Sequence, residues 1–254
     1  MDRRPLGNTG AMVSPIGFGG FKIGRNTGTK YAEGYALPSD DEVATLLNGV
    51  LDLGINLIDT APAYGTSEER IGKAIGERRG EYLLSTKVGE IFEDGVSRFD
   101  FSAAGVKESL ARSCERLRTD HLDLVLVHSN GEDLKVLQET AVVEALFEAK
   151  EKGITQWIGF SGKTIEGARA ALNWADVLMV EYHREDDSHG AVMEEAREQG
   201  VGILVKKGLA SGRIPGEEGV LFGLKHPAVS SMVIGGLNLK HVRGNVAKAA
   251  DLTP

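Results

Sequence analysis

The sequence has a single cysteine, no excess of basic charge and no long apolar run, and each shortage removes a class of protein. With Cys114 alone, no disulfide can close within the chain, so the fold must hold by packing, as suits a reducing compartment. Cys114 stands in helical phase with Val106, Leu110 and Leu117, and no basic activator is apparent beside it. That predicts a buried core thiol rather than a nucleophile. There are 29 lysines and arginines against 37 acidic residues, a net charge of −8, with a pI near 5.4. A nucleic-acid binder or a membrane-surface protein needs a cationic patch, and the densest basic run here is Arg3 and Arg4. No stretch approaches the ~20 apolar residues of a membrane span, and no apolar run of signal-peptide type opens the chain. The expected location is therefore the cytoplasm. No P-loop and no HExxH occurs, and no G-x-G-x-x-G follows a strand and opens a helix; "GFGGFKI" comes nearest and lacks the last glycine.

What is present is a globular composition, 41% hydrophobic and 26% charged, over 254 residues, a length that suits one barrel or two ordinary domains. After a short opening, strand-like and helix-like segments alternate to the end. The strand candidates are "PIGFG", "INLID", "YLLSTK", "LDLVLVH", "QWIGFS", "VLMVEY", "GILVKK" and "SMVIG". They are continuous apolar runs rather than strict alternations, as expected of parallel strands covered on both faces. Between them run helical periodicities. Ser39 and Glu42 form a capping box ahead of Val43, Leu46, Leu47, Val50 and Leu51. Residues 102–118 and 134–152 repeat the pattern, with Gly153 as a stop, and "EGARAALNWAD", "GAVMEEAREQG" and "LKHVRGNVAKAAD" are shorter versions.

Eight such units predict an α/β fold of the (β/α)8 TIM-barrel type, formed by residues 1–254 as a single domain. A doubly wound sheet is the competing arrangement. It is disfavoured because no composition break or repeat divides the chain. "RRPLGNTGAMVS" reads as an N-terminal β-hairpin closing the bottom of the barrel. The Gly-rich stretch 22–38, with Tyr31 and Tyr35, reads as a long functional loop. The segment from Arg213 to His226 is short, so the seventh unit is expected to be trimmed.

In such barrels the strand C-termini build the active site. Those positions hold Asp59 and Tyr64 after the second strand, Lys87 after the third, His128 after the fourth, Ser161 and Gly162 after the fifth, Glu181 to His183 after the sixth, and Lys206 and Lys207 after the seventh. An acid, a phenol, an ammonium and an imidazole from three consecutive strands are costly near a core unless paired. Asp59 and Lys87 lie on neighbouring strands and can pair. Lys87 beside Tyr64 is expected to draw the phenol pKa down from ~10, making it a usable general acid or base. His128 can orient a carbonyl through a ring N–H.

At these residues the sequence resembles the aldo-keto reductase superfamily. The stretches that carry the resemblance are "GINLIDTAPAYGTSEERIGKAI", "LLSTKVG", "DLVLVHSN", "IGFSGKT", "VEYHRED" and "VIGGLNLKHVRGN". The resemblance implies a barrel that binds a nicotinamide cofactor and reduces a small-molecule carbonyl substrate to an alcohol. Tyr64 would give the proton, Lys87 and Asp59 would tune it, and His128 would orient the substrate. Cofactor positions carried over are Gly20, Phe21, Asp59, Ser161, Gly162, Met179, Lys206, Gly235, Asn238, His241 and Asn245, with Lys240 and Arg243 as nearby cations. Three depart from the family pattern: Gly162 stands for an asparagine, Met179 for a glutamine and Lys206 for an aromatic, although some relatives keep lysine in a "KKGLASG" setting. A basic cluster at a helix start suits a phosphate, which implies NADP(H) over NAD(H). The chain ends at Pro254, soon after Asn245, where many relatives continue with a tail over the mouth. An open site walled by loop 22–38 is the expectation. Two other functions compete: a cofactor-holding sensory barrel, as in the potassium-channel beta subunits, and a lyase forming a Schiff base on Lys206 or Lys87.

Overall fold

The computed structural model describes residues 2–29 and 34–252, so Tyr31 lies outside the described residues. The elements in order are β1 (Arg4–Pro5), β2 (Met12–Val13), β3 (Ile16–Gly19), α1 (Phe21–Gly24), α2 (Asp40–Asp52), β4 (Leu57–Asp59), α3 (Ser67–Ile75), β5 (Leu83–Val88), β6 (Glu90–Glu93), β7 (Val96–Phe99), α4 (Ala103–Leu117), β8 (Leu122–His128), α5 (Asp133–Glu139), α6 (Val142–Glu151), β9 (Thr155–Ser161), α7 (Ile165–Ala171), β10 (Val177–Glu181), α8 (Gly190–Gln199), β11 (Gly202–Lys206), α9 (Gly216–Lys225), β12 (Val229–Ile234) and α10 (Leu239–Ala250). Strands β3, β4, β5, β8, β9, β10, β11 and β12 pair in that order and close into a barrel, with parallel pairing throughout. All eight sequence-predicted strands are in it. The α/β barrel, rather than the doubly wound sheet, is therefore the fold.

Two apolar layers hold it. Outward-facing Ile58, Leu84, Val125, Val127, Ile158, Leu178, Ile203 and Val205 pack under the helices, among them the predicted face of α2, whose Ser39–Glu42 capping box is formed. Inward-facing Leu57, Leu83, Leu124, Leu126, Val177, Met179 and Leu204 fill the barrel with Leu6 and Val13. The β1–β2 hairpin thus closes the bottom as expected, and Arg4 Nη1 donates to Leu224 O and Val229 O at 3.1 and 3.0 Å. Side chains alternate along a strand, so the residue two places beyond an inward leucine also points inward. Leu57 leads to Asp59, Leu83 to Ser85 and Lys87, Leu126 to His128, Met179 to Glu181, and Leu204 to Lys206. The apolar plug therefore ends in a polar ring at the mouth.

Two expectations need correction, and one element is new. The helix over 134–152 is two, α5 and α6, because Thr140 is extended at φ −124 and ψ 166 and its hydroxyl donates to Val136 O at 2.7 Å. The seventh unit is not trimmed: α9 runs for 10 residues with short connections. An antiparallel hairpin, β6–β7, follows β5 and was not anticipated. Its signal was Asp94-Gly95, both at positive φ (52 and 79) between the paired Glu93 and Val96, the dipeptide that a two-residue hairpin turn favours. Cys114 is half-buried against the core, and burial pushes its thiol up, away from reactivity.

Candidate active site

The mouth is built from β4 outward. The chain leaves Asp59 and turns at once: Pro62 opens a 3-10 turn over Pro62–Tyr64, and Gly65 ends it at φ 61, where a side chain would meet Gly24 O at 2.3 Å. Proline suits the first position of such a turn and glycine the positive φ. Tyr64 is thereby held above Asp59. The "SEER" segment behind it anchors the turn. Ser67 Oγ accepts from Thr60 Oγ1 at 2.9 Å and donates to Gly20 O at 2.8 Å. Glu68, fully buried, accepts from Thr86 Oγ1 at 2.7 Å.

Lys87 Nζ lies 2.7 Å from both carboxylate oxygens of Asp59 and 2.8 Å from Thr60 O, and Ser85 Oγ donates to Asp59 Oδ1 at 3.0 Å. Both side chains are almost wholly buried, 1% and 3% exposed, so the pair is held without competing water. The ammonium is 4.8 Å from the centre of the Tyr64 ring, whose edge meets the His128 ring at 6.0 Å between centres. The four sequence-predicted residues are therefore brought together. Burial alone would lower the Lys87 amine, but Asp59 and then Tyr64 outweigh it and hold it above its ordinary value. Tyr64 behaves otherwise than the sequence suggested. Part of the side chain reaches the surface, yet loss of water around the phenol pushes it up to about 12. Lys87 pulls it down, but Asp59 and Glu90 push with burial. The phenol thus keeps its proton at neutral pH. Burial, and after it Lys87 and Lys206, hold the His128 imidazole well below its usual value and therefore neutral.

The sequence reading missed several residues here. Glu90, on the unforeseen hairpin, places Oε2 3.0 Å from His128 Nδ1, though out of line for a hydrogen bond. Arg25 Nη1 donates to Ala63 O at 2.9 Å, its guanidinium lies 3.4 Å over the Phe92 ring, and its carbonyl accepts from the Tyr35 hydroxyl. It ties together the 22–29 segment, the Tyr64 turn and the hairpin. The wall beside Tyr64 is thus the hairpin as well as the Gly-rich loop.

The expected cofactor positions are distributed as follows. Gly20 N donates to Asp59 O at 2.7 Å, and Phe21 sits edge-on to Tyr64 at 5.1 Å. Ser161 Oγ and Gly162 O both accept from Lys206 Nζ, at 2.9 and 2.7 Å. Gly162 has no room for a longer residue: a Cβ there would lie 2.3 Å from Phe160 Cε1 and 2.7 Å from Asp133 Oδ2. Met179 belongs to the apolar plug, in register with Leu204 one layer below the mouth. It has no donor or acceptor for a carboxamide comparable to a glutamine's. At the other end of the mouth Gly235 follows β12, and Asn238 Oδ1 accepts from Lys240 N at 2.9 Å to cap α10. Lys240, His241 and Arg243 are exposed, and none pairs with a carboxylate among the described residues. Asn245 turns toward Gly216 at the start of α9. Cations without a carboxylate partner at one helix start fit a cofactor's phosphate.

Fold and mouth together define a barrel enzyme with a buried carboxylate–ammonium pair beneath a phenol. Residues 15–219 match the model of the aldo/keto reductase family, and the chain belongs to that family. Its members use nicotinamide cofactors. It is 33% identical over 226 residues to the L-galactose dehydrogenase of Arabidopsis thaliana, covering 84% of this chain and 66% of that protein. The matches to the next two curated relatives span 49% and 45% of their lengths. A solved Pseudomonas aeruginosa structure assigned to the aldo-keto reductases superposes with a TM-score of 0.91 at 45% identity, over 98% of this chain and 95% of that one. The holo form of a Bacillus halodurans aldo-keto reductase does so with 0.85 at 26% identity, over 100% and 92%.

Proposed function

We propose that the protein catalyses NADPH-dependent reduction of an aldehyde or ketone to an alcohol. The observation that carries this reading is the buried Asp59–Lys87 pair beneath Tyr64, with both carboxylate oxygens 2.7 Å from Nζ. The bound cofactor supplies hydride from nicotinamide C4 to the carbonyl carbon. Tyr64 gives its proton to the carbonyl oxygen, a task for which a phenol still protonated at neutral pH is suited. The Lys87 ammonium steadies the phenolate left behind, and Asp59 keeps that ammonium charged and in place. His128, neutral, orients the substrate oxygen through a ring N–H. Gly20 and Phe21 shape the wall beside Tyr64, Ser161 and Gly162 face the ring side, and Gly235, Asn238, Lys240, His241 and Arg243 take the adenosine phosphates. The unpaired cations Lys240 and Arg243 favour the 2′-phosphorylated cofactor. Lys87 is held charged by two carboxylate oxygens, which argues against Schiff-base chemistry there.

The test is Tyr64→Phe. Carbonyl reduction is expected to fall by ~10²-fold or more, the scale of lost general-acid catalysis, while cofactor affinity stays within about twofold because no binding charge is removed. Near-parental turnover would remove Tyr64 from the reaction.

A further inference from the structure

Lys206, the inward-facing cation at the end of β11, is left without a task by the proposed chemistry. It ends β11 in register with Glu181 of β10, and it follows Leu204 on the inward-facing side of the strand. Its Nζ reaches back across β10 to β9, where Ser161 Oγ and Gly162 O fix it at 2.9 and 2.7 Å. Both of those acceptors are neutral. The carboxylates that face it are engaged elsewhere: Glu181 by Lys207 and His183, Asp133 by Ser129, Lys163 and Thr164. The remaining facing groups are Lys87 of β5, His128 of β8, His189 ahead of α8 and the adjacent Lys207. None of these supplies a counter-charge. Lys206 therefore presents its ammonium across the mouth from Tyr64 and His128 with no carboxylate in contact, Glu181 and Asp133 favouring its charge only from a distance.

The inference rests on the nicotinamide reading above. A nicotinamide ring that passes hydride to a carbonyl held by Tyr64 and His128 would have to reach this mouth, which Ser161 and Lys206 also line. The ring is cationic when oxidised and neutral and electron-rich when reduced. We propose that the Lys206 ammonium discriminates between the two redox states of the cofactor, repelling the oxidised ring and tolerating or attracting the reduced one, and so biases the site toward carbonyl reduction. A cation near a π-face is attracted by an electron-rich ring, and like charges a few ångströms apart in a poorly solvated cleft repel strongly. An aromatic residue at this position would stack on both states and discriminate less.

Burial, followed by Lys207 and Lys87, lowers the Lys206 amine to about 7, so its charge is lost across the neutral range. Burial also holds His128 and His189 below their ordinary value, so neither is expected to gain or lose charge in the window above about pH 7. The test is calorimetric titration of NADPH, NADP+, NADH and NAD+ into wild type, Lys206→Met and Lys206→Arg, at about pH 6 and about pH 8.5, on either side of that value. Wild type is expected to bind each reduced form more tightly than its oxidised partner at the lower pH, by on the order of tenfold beyond the ratio in Lys206→Met. That excess should shrink at the higher pH. Lys206→Arg, which cannot lose its charge, should keep the excess at both. The two cofactor pairs share the ring and differ in the 2′-phosphate, so a change common to both pairs reports on the ring. Equal ratios in wild type and Lys206→Met, or a wild-type ratio indifferent to pH, overturn the proposal and leave the carbonyl-reductase reading standing. Binding of none of the four forms overturns both.

Discussion

Replacing Asp59 with asparagine tests the centre of the site by stability as well as by rate. In the native protein Lys87 Nζ has three acceptors, two carboxylate oxygens at 2.7 Å and Thr60 O at 2.8 Å, with 1% of the side chain exposed. Asparagine keeps one acceptor and removes the counter-charge, leaving a buried ammonium with neutral partners. Removing one partner of a buried pair costs about 3–5 kcal/mol, and the surviving acceptors place Asp59→Asn at the low end, about 3 kcal/mol. That is a large share of the roughly 5–15 kcal/mol of a typical domain. The dependence on pH is a sharper signature. In wild type the Lys87 amine is raised in the folded state, so its contribution is complete below the unfolded value of about 10.4 and is lost as pH rises through the folded one. In Asp59→Asn only burial and neutral partners remain, so the folded value falls below the unfolded one. The unfolded chain then binds more protons, and stability rises with pH from about 7 to about 10. Urea unfolding of both proteins at several pH values measures this. Removing both charges, as Asp59→Asn with Lys87→Met, should be milder than Asp59→Asn alone. A loss under about 1 kcal/mol, or a variant whose stability stays level over that pH range as the wild-type Lys87 contribution does, would refute the account of a desolvated pair.

Three further outcomes are expected. The Tyr64 phenol, raised to about 12, should be absent from the phenolate absorbance that develops below about pH 11, read as wild type minus Tyr64→Phe; a Tyr64 phenolate near pH 9 would restore the sequence-based view of a lowered pKa. Lys240→Ala combined with Arg243→Ala should weaken NADPH binding by about 1–3 kcal/mol more than NADH binding, and an equal effect on both would make these cations plain surface charge. Gly162→Asn, which meets Phe160 and Asp133 at Cβ, should lower the urea midpoint by an amount equivalent to about 1–3 kcal/mol instead of improving cofactor grip; a neutral change would show that the crowding relaxes freely.

The eight strands were legible because continuous apolar runs that end in polar residues report burial directly, one segment at a time. Asp59, Lys87 and His128 were legible for the same reason. A strand end fixes a side chain's height in the barrel, and the two-residue period fixes its direction, so position along the chain already implied a shared mouth. The Tyr64 turn declared itself through Pro62 and Gly65, whose backbone preferences are local. Tertiary structure decided what depends on neighbours remote in sequence. Glu90 reaches His128 only because a hairpin folds back, and Lys206 reaches Ser161 across 45 residues. Gly162 is closed to asparagine by nearby Phe160 and also by Asp133, which no local pattern couples to it. The same holds for the Tyr64 phenol. Its lysine partner was readable, but the direction of its pKa is a sum over burial and every nearby charge, and burial became the largest part only when the barrel, the hairpin and Arg25 closed around it.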